Sequence, residues 1–292
     1  MVVLLAGGTG GAKLARGMLD VLGDELTVIA NTGDDIEIYG VHVSPDPDLV
    51  TFWLADRIDE RGWGIAGDTF HVMDGLRELG DDVWFNLGDR DLAVCVRRAR
   101  RLAEGARLTE AIDEQRRALG IAARVLPMCD EPVRTHVRNE DGWHAFQEFM
   151  IREQAKGPVA DVRFDGVEAA RMTAEVDTAL RSADAIVIGP SNPVISIGPI
   201  LAVPGLRDAL RSPVIAVSPL VRGQVLKGPT DAFLAWAGHP LSADGIAAHY
   251  EGVIDRLVAD ERAATVPTLI TDVEMADAAG RRRLAEEVLG FA

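Results

Sequence analysis

The chain has 292 residues, 48% of them hydrophobic, which is enough for one large core or for a core with an insertion. Its formal net charge of -16 opposes binding to nucleic acid or anionic membranes, so neither is an expected partner. Cys95 and Cys129 lack the spacing of a disulfide framework or zinc site, and no signal peptide or transmembrane-length run is present, so a cytoplasmic location is expected.

Short apolar segments rich in Val and Ile alternate with longer helical patterns along the chain. The predicted strands are Val2–Leu5, Leu26–Ala30, Val83–Phe85, Ala185–Ile188, Val214–Val217 and Thr268–Ile270. This alternation predicts an α/β fold with a doubly wound, mostly parallel, Rossmann-like sheet. Residues 91–155 begin with charged helical patterns and continue with strand-like pieces around Arg124–Pro127 and Thr135–Arg138. We therefore predict a core of residues 1–90 and 156–292, with 91–155 as a mainly helical insertion over the site.

A glycine-rich segment follows the first predicted strand and precedes a helix that carries Leu14, Met18 and Leu22. Glycine allows backbone N–H groups to approach an anion, and the N-terminus of a helix attracts negative charge. The segment is not a Walker A loop, because Leu14 follows Lys13, and Lys13 also replaces the third glycine of a dinucleotide fingerprint. We interpret it as a phosphate-binding loop, with a tight turn without ligand as the alternative. The residues assigned to this loop are Gly7, Gly8, Thr9, Gly10, Gly11 and Lys13.

Two acidic segments come next in the chain. NTGDD, with Asn31, Asp34 and Asp35, follows the second strand, and SPDPD, with Asp46 and Asp48, precedes a helix that is predicted to begin near Leu49. Carboxylates beside a phosphate site require a cation, and Mg²⁺ is commonly held by carboxylates together with substrate phosphates. We predict Asp34 and Asp48 as the leading Mg²⁺ ligands and as catalytic residues, with Asp35 and Asp46 as further ligands. Alternatively, Asp46 and Asp48 only cap a helix or form Asx turns.

Further polar turns follow later strands, where ligands bind in open α/β sheets. NLGDRD supplies Asn86, Asp89 and Arg90, and GPSNP supplies Ser191 and Asn192. Arg90 either binds phosphate or pairs with a neighbouring aspartate.

Two other features of the sequence have a simpler structural interpretation. Trp63 lies between glycines that leave room for a flat ring, although a core position is the simpler interpretation of this tryptophan. The arginines between residues 97 and 101 are interpreted as a solvated helix face.

Several motifs occur together in a characteristic order: GGTGGAKL, NTGDD, SPDPD, GWGIAGDTF, NLGDRDLA, LPMCDEPVRT, FQEFM and GPSNPVISIGPIL. From Met1 to the C-terminal TLITD, the chain resembles the 2-phospho-L-lactate transferase family of coenzyme F-420 biosynthesis. The resemblance implies a doubly wound fold with a helical insertion, Mg²⁺ dependence and a homodimer. It also implies transfer of a phosphorylated three-carbon acid from a guanosine-diphosphate-linked donor to the ribityl hydroxyl of the deazaflavin Fo, with release of GMP. The acid is lactate in the archaeal form and enolpyruvate in the actinobacterial form.

The resemblance also implies roles for individual residues. Asp48 and Asn86 match positions near Fo, residues 7–13 with Ser191 and Asn192 face the guanosine diphosphate, and Asp34 and Asp48 are metal candidates. The chain departs from the family pattern at Pro47, at Cys95, where histidine is frequent, and at Cys129, where serine is usual.

No covalent nucleophile with its base is recognisable, so we expect direct attack by the Fo hydroxyl on the β-phosphorus, with Asp48 or Asp34 orienting that hydroxyl. Two alternatives are a nucleotide-sugar-binding regulatory protein of the same fold and an NAD oxidoreductase. The latter requires an acidic residue after the second strand, where Ala30 and Asn31 lie instead.

Overall fold

A seven-stranded, entirely parallel sheet organises the computed structural model, which describes residues 1–292. Its strands, from one edge to the other, are Thr268–Ile270 (β14), Arg256–Ala259 (β13), Val214–Val217 (β10), Ala185–Ile188 (β9), Val2–Ala6 (β1), Leu26–Ala30 (β2) and Arg124–Pro127 (β5). The four strands β10, β9, β1 and β2 are buried along their whole length, which explains their continuous apolar sequences. The predicted doubly wound α/β fold is confirmed.

Helices cover both faces of this sheet. They are Gly8–Leu22 (α1), Pro45–Leu54 (α2), His71–Glu78 (α3), Asp89–Ala103 (α4), Leu108–Ala118 (α5), Phe146–Ile151 (α6), Ala174–Arg181 (α7), Gly198–Ala202 (α8), Leu206–Ala209 (α9), Thr230–Trp236 (α10), Ala243–His249 (α11) and Ala278–Gly290 (α12). Successive residues of a strand point to opposite faces, so Val3 and Leu5 enter the core under α7 and α11, while Leu4 enters the core under α1 and α12. No helix has both the length and the apolar character that crossing a bilayer requires.

Three small antiparallel sheets lie outside the central one. They pair Ile36–Ile38 (β3) with Val41–Val43 (β4), Leu220–Val221 (β11) with Gln224–Val225 (β12), and Arg134–Asn139 (β6) with both Gly142–Ala145 (β7) and Asp161–Asp165 (β8). The first two sheets are hairpins that follow β2 and β10 in the chain, on the side where the carboxyl ends of the parallel strands meet.

The strand prediction for Val83–Phe85 is wrong. This segment is irregular, and its Phe85 N–H donates to the Tyr39 hydroxyl at 3.1 Å. Val83 and Phe85 pack against a small cluster beside α3 and α4, where a short apolar run needs no sheet partner. The strand next to β2 is instead β5, which lies inside the range 91–155 predicted as an insertion. Strand β13, which begins with the charged Arg256, was not among the predicted strands.

Two other local predictions need correction. The second helix begins at Pro45 rather than near Leu49, so Asp46 and Asp48 both lie in the first turn of α2, where proline is well tolerated. Of the four arginines interpreted as a solvated face, Arg98 is only 2% exposed. Its neighbours Arg97 and Arg101 form ion pairs with Glu114 of α5.

Candidate active site

A cavity of about 550 Å³ opens at the carboxyl ends of β1, β9 and β10. Its polar wall includes Gly7 and the first turns of α1, the turn after β9, Asp34 and the start of α2. Helix α6 contributes Phe146, Gln147 and Met150, and the Gln147 amide donates to the Asp34 carbonyl at 3.1 Å. Thus α6 is the helix of residues 91–155 that reaches the cavity, whereas α4 and α5 do not line it.

The glycine loop is tightly packed against its neighbours. The Gly7 N–H donates to Ser191 Oγ at 3.2 Å, and the Gly8 N–H donates to Asp46 Oδ1 at 2.6 Å. A Cβ at Gly10 would overlap the carbonyl oxygen of Pro190, so glycine is needed here for close approach of two loops. The N–H groups of Thr9 and Gly10 lie in the first turn of α1 and have no intrahelical acceptor, so they are available to an anion in the cavity.

Asp34 and Asp46 form a pair of buried carboxylates in the cavity wall, 6% and 5% exposed. Asp46 accepts hydrogen bonds from Gly8 and, at 2.9 Å, from the Asn31 amide. Burial raises the pKa of Asp46 to about 6, although these hydrogen bonds oppose the shift. Burial and then the Asp46 charge raise the pKa of Asp34 well above its ordinary value, and Asp34 Oδ1 is buried without any partner. An unpartnered carboxylate oxygen beside a second carboxylate fits a hard divalent cation such as Mg²⁺.

The other two predicted metal ligands, Asp35 and Asp48, do not line the cavity. Asp35 accepts a hydrogen bond from the Ser44 hydroxyl at 2.8 Å and lies 2.9 Å from His42 Nε2. Burial raises the pKa of Asp35, and the His42 contact opposes this.

Asp48 is paired with the buried Arg98 guanidinium and accepts from the Gln115 amide at 2.8 Å. One ligand atom each of Asp48, Asp91 and Cys95 lie within 4.8 Å of one another. Burial and the Asp48 charge raise the pKa of Asp91 to about 7. Asp48 Oδ2 is also buried without a hydrogen-bond partner. Because Arg98 already supplies a positive charge to Asp48, however, this cluster suits a metal ion less well than Asp34 and Asp46 do.

Two lysines supply the positive charge of the cavity wall. Lys13 Nζ donates to the Met275 carbonyl at 3.2 Å, and burial, then Lys227, lower the pKa of Lys13. Lys227 Nζ donates to the Arg61 carbonyl at 2.9 Å. Lys227 was not among the predicted site residues, nor were Ser196, Ser218 and Glu274 in the same wall. A signal for Lys227 existed, because lysine occurs just three times in this arginine-rich chain, at 13, 156 and 227.

In the turn after β9, Ser191 and Asn192 line the cavity, and both side chains also hold the loops in place. The Ser191 hydroxyl donates to the Gly7 carbonyl at 2.6 Å. Asn192 Oδ1 accepts from the Val194 N–H at 2.9 Å, and its amide donates to Thr230 Oγ1 at 3.3 Å. Asn31 is fully buried and acts through Asp46, and Gly11 packs against Ser191, so neither lines the cavity.

Asn86, Asp89 and Arg90 lie outside the cavity wall. Asn86 Oδ1 accepts from Arg77 at 2.9 Å, and the Asp89 carboxylate accepts from the Thr69 hydroxyl and from the backbone at the start of α3. The Arg90 guanidinium donates to the Ala66 carbonyl at 3.3 Å. These contacts give the three residues structural roles, and their assignment to substrate binding stays a prediction.

A family model described as "2-phospho-L-lactate transferase CofD" matches residues 2–289. The chain belongs to this family. It is therefore a transferase, as the resemblance implied. It is similar to the 2-phospho-L-lactate transferase of Methanosarcina acetivorans, with 37% identity over 99% of this chain and 98% of that protein. It is also similar to the phosphoenolpyruvate transferase of Kitasatospora aureofaciens, with 39% identity over 97% of both chains.

A solved structure supports the fold independently of these names. A UPF0052 family protein from Bacillus halodurans superposes with a TM-score of 0.65, over 99% of this chain and 98% of that chain, at 18% identity. At that identity the likeness concerns the fold alone.

Proposed function

We propose that this protein transfers a phosphorylated three-carbon acid from a guanosine-diphosphate-linked donor to the ribityl hydroxyl of the deazaflavin Fo, with release of GMP, in coenzyme F-420 biosynthesis. The acid is phosphoenolpyruvate or 2-phospholactate, in line with the names of the two relatives. The observation that carries this proposal is the buried Asp34 carboxylate beside Asp46, whose Oδ1 has no hydrogen-bond partner, next to the segment that opens α1. Such a place suits a diphosphate bound through a divalent cation.

Asp34 and Asp46 are the residues we propose to hold Mg²⁺. Bound there, the ion would neutralise negative charge on the diphosphate as its bond to GMP breaks. Asn31 and the Gly8 N–H hold Asp46 in place, so one of the two ligands is fixed before substrate arrives. Of the predicted leading pair, Asp34 is retained as a ligand, and Asp46 takes the place of Asp48.

The remaining chemistry belongs to groups of the chain itself. The N–H groups of Thr9 and Gly10, with Lys13 and Lys227, face the cavity and donate to the diphosphate oxygens. The Fo hydroxyl oxygen bonds to the β-phosphorus, the bond from that phosphorus to the GMP oxygen breaks, and the hydroxyl proton passes to a carboxylate. Of the two carboxylates that the sequence predicted as catalytic, Asp34 lines the cavity and Asp48 does not, so we assign this last role to Asp34.

The test is a reaction with Fo, Mg²⁺ and each donor in turn, in which mass spectrometry detects GMP and the Fo adduct. A product with the enolpyruvyl or the lactyl donor, lost on addition of EDTA, would establish the transfer and identify the acid. No product with any donor, together with tight binding of a nucleotide-sugar, would instead support the regulatory alternative. Sedimentation of the same sample would test the implied homodimer.

A further inference from the structure

Trp63 is a large aromatic side chain that remains exposed in the wall of the substrate cavity. It is 52% exposed, and Leu226, in the same wall, is 61% exposed. By contrast, Trp53 is 7% exposed and packs in the core. Aromatic side chains contribute most to packing and binding energy when their surface is buried. An exposed tryptophan in a ligand cavity therefore indicates a surface that a ligand covers.

The loop that carries Trp63 has a defined shape. Ile58 and Ile65 form an antiparallel bridge at its base, and Gly62 and Gly64 adopt φ angles of +84° and +71°, which favour glycine. The Arg61 guanidinium lies 4.5 Å from the centre of the Trp63 ring, and the Arg61 carbonyl accepts the hydrogen bond from Lys227. The ring is thus supported by a cation on the loop itself.

This loop also lies directly beside the phosphate-binding residues. A Cβ at Gly62 would be 3.4 Å from Lys227 Nζ and 3.6 Å from Thr9 Cγ2. Trp63, the next residue, lines the same cavity as Lys227 and the first turn of α1, where we place the diphosphate. In the donor of the proposed reaction a sugar connects guanine to the diphosphate, and in Fo a sugar-alcohol chain connects the flat fused deazaflavin to the hydroxyl that attacks the β-phosphorus.

We propose that Trp63 is a stacking platform for a flat fused ring of one substrate, either the deazaflavin of Fo or the guanine of the donor. This inference rests on the proposed function, which supplies both rings. Arg61 supports the indole, the substrate ring covers its exposed face, and Leu226 adds apolar surface beside it. Stacking of this kind tolerates different rings, because every such ring has a π face.

Trp143 offers a matched control for this position. It is 39% exposed and also lies under arginine, with Arg163 at 4.3 Å and Arg138 at 5.6 Å from its ring, but it does not line the cavity. A change there removes the same type of exposed indole from a place that we expect no substrate to touch.

The experiment measures binding of Fo and of GDP, separately, to the wild type and to Trp63→Leu, Trp63→Phe and Trp143→Leu. We expect Trp63→Leu to weaken one ligand by about 5- to 150-fold, the range for loss of one stacked ring. We expect Trp63→Phe to lose much less, because its ring still stacks, and Trp143→Leu to bind as the wild type does. The ligand that Trp63→Leu weakens identifies which ring stacks.

Three results would overturn the inference. Unchanged affinity of Trp63→Leu for both ligands would refute the stacking role of Trp63 and would leave the transferase proposal intact. An equal loss in Trp63→Phe and Trp63→Leu would show that an aromatic ring is not what matters. Failure of the wild type to bind either ligand would refute the transferase proposal and the platform together, and the wild-type titration alone identifies that case.

Discussion

Asp46 and Asp48 lie two residues apart in the first turn of α2, yet they have opposite surroundings. Asp46 faces the cavity, where its carboxylate accepts hydrogen bonds from the Gly8 N–H and the Asn31 amide. Asp48 faces α4 and α5, where it meets Arg98 and Gln115. Helical residues rotate by about 100° each, so two positions along the chain turn a side chain to roughly the far side of the helix.

The comparison shows that one acidic motif serves two purposes. On one side, a carboxylate lacks a cation within the protein and is available to a metal ion. On the other side, a carboxylate is neutralised by an arginine that is itself 2% exposed and donates to the His42 carbonyl at 3.1 Å. Arg98 thereby joins α4 to α2 and to β4, so it fixes the helix that presents Asp46.

The largest effect should follow from removal of Arg98. Arg98→Met leaves the Asp48 charge buried and uncompensated, and we expect a loss of about 3–5 kcal/mol in the free energy of unfolding. Chemical denaturation measures this. The matched control is Arg100→Met on the same helix, whose ion pair with Glu104 at 3.7 Å is exposed and should change stability by about 0.5 kcal/mol or less.

A double variant sharpens this result. Arg98→Met with Asp48→Leu removes both charges, and we expect it to recover most of the lost stability, because a buried ion pair is often replaceable by apolar groups. If the single variant were as stable as the wild type, Asp48 would not depend on Arg98 for its charge balance. The contrast between the two aspartates would then fail.

The second effect concerns the other side of the helix. Asp34→Asn should lower turnover by about a hundredfold or more, since a metal ion stabilises a transition state by several kcal/mol and 1.4 kcal/mol is tenfold. Its thermal stability should be equal to or above that of the wild type, because the variant removes a buried carboxylate whose Oδ1 has no hydrogen-bond partner. Turnover and melting temperature are measured on the same sample, with the surface change Asp177→Asn as control. Normal turnover at saturating Mg²⁺ would rule out Asp34 as a ligand.

The sequence predicted the central strands β1, β2, β9, β10 and β14 but not β13, because a buried parallel strand is visible only where its local pattern is apolar. Buried parallel strands such as β1 and β9 are continuous apolar runs, and Gly7–Gly10 and Ser191 follow them directly. It did not separate Asp46 from Asp48, because the start of α2 at Pro45 decides which way each one points. Lys227 and the Arg98 pair were missed since both depend on contacts between residues far apart in the chain.

The third prediction probes the packing beneath Asp46. A Cβ at Gly7 would lie 2.7 Å from Ser196 Cβ and 2.9 Å from Asp46 Oδ2. We expect Gly7→Ala to lower the free energy of unfolding by about 1–3 kcal/mol, as overpacking does, and to weaken Mg²⁺ binding by displacing Asp46. Gly75→Ala in α3 is the control, because nothing lies within 4 Å of its Cβ and alanine favours a helix. Equal stability of the two variants would show that the segment around Gly7 shifts to accommodate the added methyl group without loss of stability.

The smallest effect is a pH dependence of Mg²⁺ binding on the cavity side of α2. The pKa of Asp46 rises from 3.8 to about 6, so the folded protein without metal binds this proton more tightly than the unfolded chain does. The resulting stability is fully present below about pH 4 and is lost as pH rises to about 6. Mg²⁺ competes with the same proton, so its dissociation constant should be about tenfold higher at pH 5 than at pH 7. Calorimetric Mg²⁺ titrations at both pH values test this. The difference should shrink in Asp46→Asn, and an undiminished difference in that variant would assign the titration to another group, with Asp34 the nearest candidate in the same wall.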